Sequence, residues 1–266
     1  MTQGSILGDS INLVESEALS ELWHKRISHM SERGNTFMDK KNYFAGMKQA
    51  KVKRCVHCLA GKQKRVSFHS HPPLRKSELL ELVHSDLRSS FKVMSKSGAL
   101  YFSTFIDDCS HKIWVYPLKS KDQVLDVFKQ FQALSEAQMG KKLKCVCTDN
   151  GGEYIGPFDN YCKLQGIRHQ KNPQLNGLAE RMDKTLVERF KCVLSEAKLP
   201  NSFWAEELNT VAYVINLSPV VSLDGDVPNR VWFDKDVSYD HLKVFGYKVC
   251  VHVPKDERSK LDVKTK

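Results

Sequence analysis

No apolar run in these 266 residues approaches the roughly 18 that a membrane span needs. The opening, MTQGSILGDS, has neither a basic start nor an apolar core, so it does not read as a secretory signal. Metal-type spacing is scarce among the eight cysteines. Only Cys55 and Cys58 form a C-x-x-C pair, while Cys145 and Cys147 share one face of a predicted strand as buried thiols. Cysteine usage of this kind points to a reducing compartment, cytosol or nucleus. Acidic residues are missing altogether between Lys40 and Arg65, a window that holds nine Lys or Arg. The formal net charge of the chain is +10, so this window carries nearly all of the excess. A basic balance suggests a polyanionic partner.

At this length there is room for one full α/β domain and a small one. Residues 1–20 have little pattern and read as a lead-in. His24 and His29 follow on a helical segment, and 25 residues separate His29 from Cys55. Two His plus C-x-x-C make a tetrahedral zinc set, with His57 as a possible rival ligand inside the Cys pair. A segment of residues 21–65 is too short to hold itself by core burial, and a metal supplies the missing stability. The basic window overlaps this module, with Tyr43 and Phe44 inside it. Lys51, Lys53, Arg54, Lys62, Lys64 and Arg65 are the candidate nucleic-acid contacts, neutralising phosphates and releasing counterions. Nothing in the window resembles a groove-reading helix. Residues 66–78, with Pro72-Pro73, read as a linker.

The second domain is expected over residues 79–198. Leu79 to Leu87, Gly98 to Ile106 and Lys112 to Leu118 read as strands, the last two joined by a polar turn from Asp107 to His111. A helix over Asp122 to Gln138 follows, then a strand from Leu143 to Cys147. Next come a short helix from Phe158 to Gln165 and a short strand from Ile167 to Gln170. A long helix from Leu178 to Ala197 and a further apolar helix from Phe203 to Leu217 complete the pattern. Three meandering strands followed by alternating units predict a mixed five-stranded sheet with helices on both faces. Residues 199–266 extend the core, with strand-like pieces around Val244 to Val253, and the chain reads as a piece of a longer polyprotein.

The stretch from Leu143 to Arg181 organises the rest. Its strand ends on Thr148-Asp149-Asn150-Gly151-Gly152, placing a carboxylate at a sheet end where the backbone can turn. Pro173-Gln174-Leu175-Asn176-Gly177 then opens the long helix, whose first turn holds Glu180. Two carboxylates from a strand end and a helix start are the makings of a hard-cation site.

TDNGGEY followed by PQLNGLAERM, with VHSDL upstream, resembles the integrase of copia-type long-terminal-repeat retrotransposons. LWHKRISHMS and CVHCLAGKQKRVSF resemble the zinc-binding segment that precedes that core, and the tail from FWAEELNTVAYVINLSP onward resembles the same polyproteins. The resemblance covers nearly the whole chain. It implies a ribonuclease-H-like fold and zinc on His24, His29, Cys55 and Cys58. It also implies a triad of Asp86, Asp149 and Glu180 holding two Mg²⁺ or Mn²⁺ ions for phosphodiester transfer. The implied partners are element and target DNA and further copies of the chain. The expected location is the nucleus, reached through the cytoplasm.

Two departures stand out. Only 30 residues separate Asp149 from Glu180, fewer than the family's usual interval. The shortage falls at His169 to Asn172, and it threatens to shorten the fifth strand or drag the helix start away from Asp149. Displacement by ~1 Å can lower a rate on the order of 100-fold. The other is Asp183, where the family usually has Asn. It is an acidic residue within the helix's apolar stripe, and so in need of a partner or a cation, and it is also an alternative third ligand. Asp107, Asp108, Glu153 and Asp159 read as turn or surface carboxylates. Two functions follow: metal-dependent polynucleotidyl transfer, degenerate to the extent that the short loop misplaces Glu180, or a catalytically inactive, zinc-stabilised nucleic-acid-binding module. Ribonuclease H proper ranks below both, because it gives no reason for the upstream His/Cys segment.

Overall fold

A computed structural model describes residues 21–31, 34, 37–38, 55–61, 76–88, 91–172 and 176–246. Five strands form one sheet: β1 (Val83–Arg88), β2 (Tyr101–Asp107), β3 (Ile113–Leu118), β4 (Cys145–Thr148) and β5 (Arg168–Lys171). Their order is β3-β2-β1-β4-β5, so β1 is central. It runs antiparallel to β2 and parallel to β4. That mixture is what a meander followed by crossover units produces.

The helices are α1 (Val56–Gly61), α2 (Val124–Met139), α3 (Pro157–Leu164), α4 (Gly177–Ala197), α5 (Trp204–Asn216) and α6 (Pro228–Phe233). Residues 21–26 are also helical. The α2 helix closes on Gly140 at φ 63°, a left-handed position that glycine takes without steric penalty. Pro200, just past the end of α4, cannot continue a helix.

Alternation along β2 sorts the core into two layers. Phe102 and Ile106 pack under α4 and α5 with Leu186, Phe190, Trp204 and Leu208. Phe105 points to the other face and meets Phe128, Phe131, Val146 and Phe158 from α2, β4 and α3. Its ring stacks on Phe131 with centroids 4.7 Å apart. A third small cluster joins Ile27, Met30 and Met38 to Val214, Leu217, Tyr239 and Leu242, seating the N-terminal segment on α5.

Elements agree with the expected order, with ends moved by a few residues. The first strand starts at Val83 because Leu79 to Leu82 are a turn instead, with Leu80 at φ 62°. Asp107 holds that turn by accepting the Leu80 amide at 2.8 Å, and it also accepts the Ser110 amide and hydroxyl. Asp108 accepts from Lys76 and pairs with His84. Both are thus committed to structure, in keeping with the turn reading. The helix α6 was not expected from sequence. Residues 244–246 are not strand, and the rest of the strand-like stretch to Val253 lies outside the described residues, as do Tyr43, Phe44 and the six basic residues Lys51, Lys53, Arg54, Lys62, Lys64 and Arg65.

Candidate metal centres

The N-terminal His and Cys residues come together. His24 lies in the helical segment 21–26, and His29 follows a turn in which Ser28 and His29 both take left-handed backbone, φ 50° and 56°. Cys55 precedes α1 and Cys58 sits in its first turn. One ligand atom from each of the four residues lies within 4.8 Å of the others. His24 Nε2 is 3.2 Å from His29 Nδ1, Cys58 Sγ is 3.3 Å from His24 Nε2, and Cys55 Sγ is 3.4 Å from His29 Nδ1.

Those separations are the edges of a tetrahedron. With bonds of about 2.0 Å to nitrogen and 2.3 Å to sulfur, a tetrahedral zinc ion gives edges of roughly 3.4 Å between nitrogens and 3.6 Å between nitrogen and sulfur. The donor set therefore fits zinc. Burial pushes the Cys55 thiol up, and a cation among the sulfurs is what would favour the thiolate.

His57 is not part of this set. Its Nδ1 meets Ser195 Oγ at 2.7 Å and its Nε2 meets Glu196 at 2.7 Å, both at the far end of α4. Lys25 reaches the same Glu196 at 2.6 Å. The Cys192 thiol donates to the His57 carbonyl at 3.1 Å. Arg189, also on α4, is half-buried, with its guanidinium enclosed near the Cys192 and Cys58 sulfurs, and that enclosure holds the guanidinium down at about 10. The module is thus fastened to the C-terminal half of α4.

At its other end α4 carries Glu180, exposed in its first turn. Asp86 lies on β1 directly across from Thr104 of β2, on the face covered by α4. Asp149 is the first residue past β4, the parallel neighbour of β1. Its Oδ1 accepts the Gly151 amide at 2.9 Å. A Cβ at Gly151 would lie 2.7 Å from Glu153 Oε1 and 3.0 Å from Asp149 Oδ1, so a side chain there would push the Glu153 carboxylate aside and crowd Asp149. Beneath the site, the buried Tyr154 hydroxyl bonds Ser85 Oγ at 2.9 Å.

The three carboxylates act on one another. Burial, then the charge of Asp149 and more weakly that of Glu180, push Asp86 up to about 6. Mutual repulsion of this kind is what an oxygen-seeking divalent cation relieves, so the donor set fits Mg²⁺ or Mn²⁺. The triad is nevertheless looser than the zinc-type quartet, which is the one group of such side chains drawn that tightly among the described residues.

Asp183 lies one turn after Glu180 with no exposed surface. Its Oδ1 accepts the Thr104 hydroxyl at 2.8 Å. Its Oδ2 has no hydrogen-bond donor among the described residues, yet the Asp86 carboxyl stands within hydrogen-bonding reach. Two carboxylates can share such a contact only through a proton. Burial, then the Asp86 charge, push Asp183 well above the usual carboxylate range, which favours a proton on the contact between the two carboxyls.

Across the short interval both the fifth strand and the long helix form. β5 pairs with β4 from Arg168 to Lys171, and α4 begins at Gly177. Residues 173–175 lie outside the described residues. Sequence reasoning passed over Asn176, which donates to the Ser85 carbonyl, and over the Asp159–His169–Thr148 contacts. Asn176 sits in the N-cap position of the helix, but its side chain makes no capping bond, so cap preference does not report its tie to Ser85.

Residues 1–63 match the GAG-pre-integrase domain and residues 78–173 the Integrase core domain. The chain is 49% identical over 269 residues to the retrovirus-related Pol polyprotein from transposon TNT 1-94 of Nicotiana tabacum, covering 99% of this chain and 20% of that protein. It is 31% identical over 256 residues to the Pol polyprotein from transposon RE2 of Arabidopsis thaliana, covering 94% of this chain and 17% of that protein. The chain thus spans about a fifth of the length of these curated relatives. Among solved structures, it resembles a chain of the simian T-cell lymphotropic virus intasome complex at a TM-score of 0.50 and 18% identity, covering 73% of this chain and 66% of that one. The last likeness speaks to fold alone.

Proposed function

The chain belongs to the integrase region, pre-integrase segment plus core, of copia-type retrotransposon Pol polyproteins, and on that premise we propose that it is a metal-dependent polynucleotidyl transferase that processes element 3′ ends and joins them to target DNA. The observation that carries this reading is the electrostatic state of Asp86. It is pushed up to about 6 by burial and by the charges of Asp149 and Glu180. A cluster of repelling oxygens, one within the central strand and one just past its parallel neighbour, is poised for cations rather than for packing.

Asp86, Asp149 and Glu180 would hold two Mg²⁺ or Mn²⁺ ions. Such ions would supply an activated nucleophile and neutralise charge at phosphorus and at the leaving oxygen. This chain's own residues orient the ligands. Asp183 holds Asp86 by a hydrogen bond, and Thr104 holds Asp183. Zinc on His24, His29, Cys55 and Cys58 would fold the module of residues 21–65, and the basic residues Lys51 to Arg65 would contact DNA phosphates. Residues 66–78 would link it to a core of residues 79–198, with 199–266 as the core's extension. Action as a multimer, in the nucleus after transit through the cytoplasm, belongs to the same proposal.

A second reading, an inactive zinc-stabilised nucleic-acid-binding module, is favoured by the looseness of the carboxylates beside the tight His/Cys set. Strand transfer of a labelled terminal-repeat oligonucleotide with Mn²⁺ separates the two. Turnover that disappears in Asp149→Asn and Glu180→Gln supports the transferase. Salt-dependent DNA binding with no turnover overturns it in favour of the module.

A further inference from the structure

Asp159 is not an idle surface carboxylate. It sits in the first turn of α3, and its Oδ1 lies 2.6 Å from His169 Nδ1. Its other oxygen accepts from Lys171. His169 is on the edge strand β5, yet its side chain is only 6% exposed. The ring packs on Phe158 with centroids 5.1 Å apart. On its far side, Nε2 is 2.9 Å from Thr148 Oγ1. Thr148 is the last residue of β4 and has no exposed surface. Its hydroxyl donates to the carbonyl of Asp149 at 2.8 Å.

The contacts form one chain: carboxylate, imidazole, hydroxyl, and the peptide that carries Asp149. Because the single Thr148 proton goes to the Asp149 carbonyl, the ring completes the chain by donating from both nitrogens, Nε2 to Thr148 and Nδ1 to Asp159. The location of these contacts gives them a consequence. Asn172, just past β5, donates to the Thr148 carbonyl at 3.1 Å, the last such bond to β4 among the described residues. Asp149 is the first residue past β4. The direction of a short side chain such as Asp follows its backbone closely. A hydroxyl held on the Asp149 carbonyl takes over where the ladder stops.

We infer that Thr148 and His169, with the ring oriented by Asp159, are positioning residues for Asp149, holding its carboxylate toward Asp86. None of the three touches the ions or the substrate. The inference rests on the metal site proposed above. It also gives His169, in the shortened interval, a task of its own. The parts of that interval which remain are the parts that clamp the strand end.

The test uses the full chain with zinc bound, and reads Mn²⁺ affinity by calorimetry beside the melting temperature in the absence of Mn²⁺. Asp149→Asn first establishes which binding belongs to the site. Thr148→Val keeps shape and branching and loses the hydroxyl, while Thr148→Ser restores it. Loss of an outer-shell partner typically weakens metal affinity by about 10–100-fold. Thr148→Val is expected to fall in that range with its melting temperature little changed, and Thr148→Ser to return to wild-type affinity. Asp159→Asn, further along the chain, is expected to weaken affinity in the same direction by less. Wild-type affinity in Thr148→Val overturns the inference while leaving the metal site standing. So does a loss matched by the fall in melting temperature of both threonine variants, since that is a structural bond only. Wild-type protein with no Mn²⁺ binding that depends on Asp149 overturns the metal site itself, and this inference with it.

Discussion

The amide of Asn176 donates to the main-chain carbonyl of Ser85 at 3.0 Å. Ser85 precedes Asp86 on the central strand, and Asn176 immediately precedes α4, so this bond ties the start of the Glu180 helix to the Asp86 strand. Asn176 is fully buried. The start of the helix is thus fixed on the sheet by a bond of its own, whatever the length of the interval between Asp149 and Glu180. Glu180 still acts electrostatically on Asp86.

Replacing Asn176 tests that anchor. Asn176→Ala leaves the Ser85 carbonyl without this donor, and an unsatisfied buried polar group costs about 1–3 kcal/mol. Denaturant unfolding is expected to show a loss of that size. Strand transfer is expected to fall further than stability explains, because the helix start is no longer fixed over Asp86. Full activity in a destabilised variant would mean that packing of α4 alone positions Glu180.

Divalent-ion binding should depend on pH through Asp86. Its folded pKa, about 6, lies above the ordinary carboxylate value. Ions take the deprotonated form, so binding displaces a proton below about pH 6 and affinity drops, approaching tenfold per pH unit for one proton. The linked stability runs the other way. A raised carboxyl pKa stabilises the ion-free fold below the unfolded value, and that stabilisation is lost as pH rises through about 6. Mn²⁺ titrations in buffers of different ionisation heat, at pH 5 and pH 7.5, should show proton release only at the lower pH.

Asp183 should be replaceable by Asn but not by Leu. As a buried acid it accepts from Thr104 and donates to Asp86, and an amide can do both. Its raised pKa means that the acid form stabilises the fold at low pH, and that this contribution is lost as pH rises through the folded value. Asp183→Asn removes that dependence. Its unfolding free energy should match wild type below about pH 4, the unfolded carboxyl value, and exceed it increasingly as pH rises above that, with Mn²⁺ affinity retained. Asp183→Leu should lose at least about 1–3 kcal/mol by stranding the Thr104 hydroxyl. Equal pH profiles for wild type and Asp183→Asn would show that the carboxyl is ionised after all.

The sheet and its helices were legible in the sequence because they rest on local periodicity. Phe102, Phe105 and Ile106 alternate, and Leu186, Phe190 and Val193 recur at helical spacing. The zinc-type quartet was legible because residue type and spacing carry it. That Asp183 needs a partner was legible from its place in the apolar stripe, but which partner was not. A carboxyl's charge depends on neighbours distant in sequence, here Thr104 and Asp86, and no local pattern reports them. Asp159 was set aside on the same ground, since its partner His169 is a neighbour only once β5 joins β4. The α6 helix is short, Pro228–Phe233, and its Trp232 is buried against Trp114, with centroids 4.8 Å apart. Tertiary contact rather than propensity makes it a helix.

Removing zinc should loosen a helix that carries none of its ligands. Folding energy in small metal modules comes largely from the metal, so chelation is expected to release Cys55 to Cys58 and, with them, His57. The His57 contacts to Ser195 and Glu196 then go, and with them the Cys192 bond to the His57 carbonyl. Amides from about Cys192 to Ala197 should exchange faster with solvent after chelation, while those of the central strands β1 and β2 stay protected. Glu196→Ala, which keeps the four ligands, should reproduce part of that loosening with zinc still bound. If chelation leaves the exchange of α4 unchanged, the module rests against the helix without supporting it. In the opposite case, one metal at the rear of α4 steadies the helix that presents Glu180 at its front.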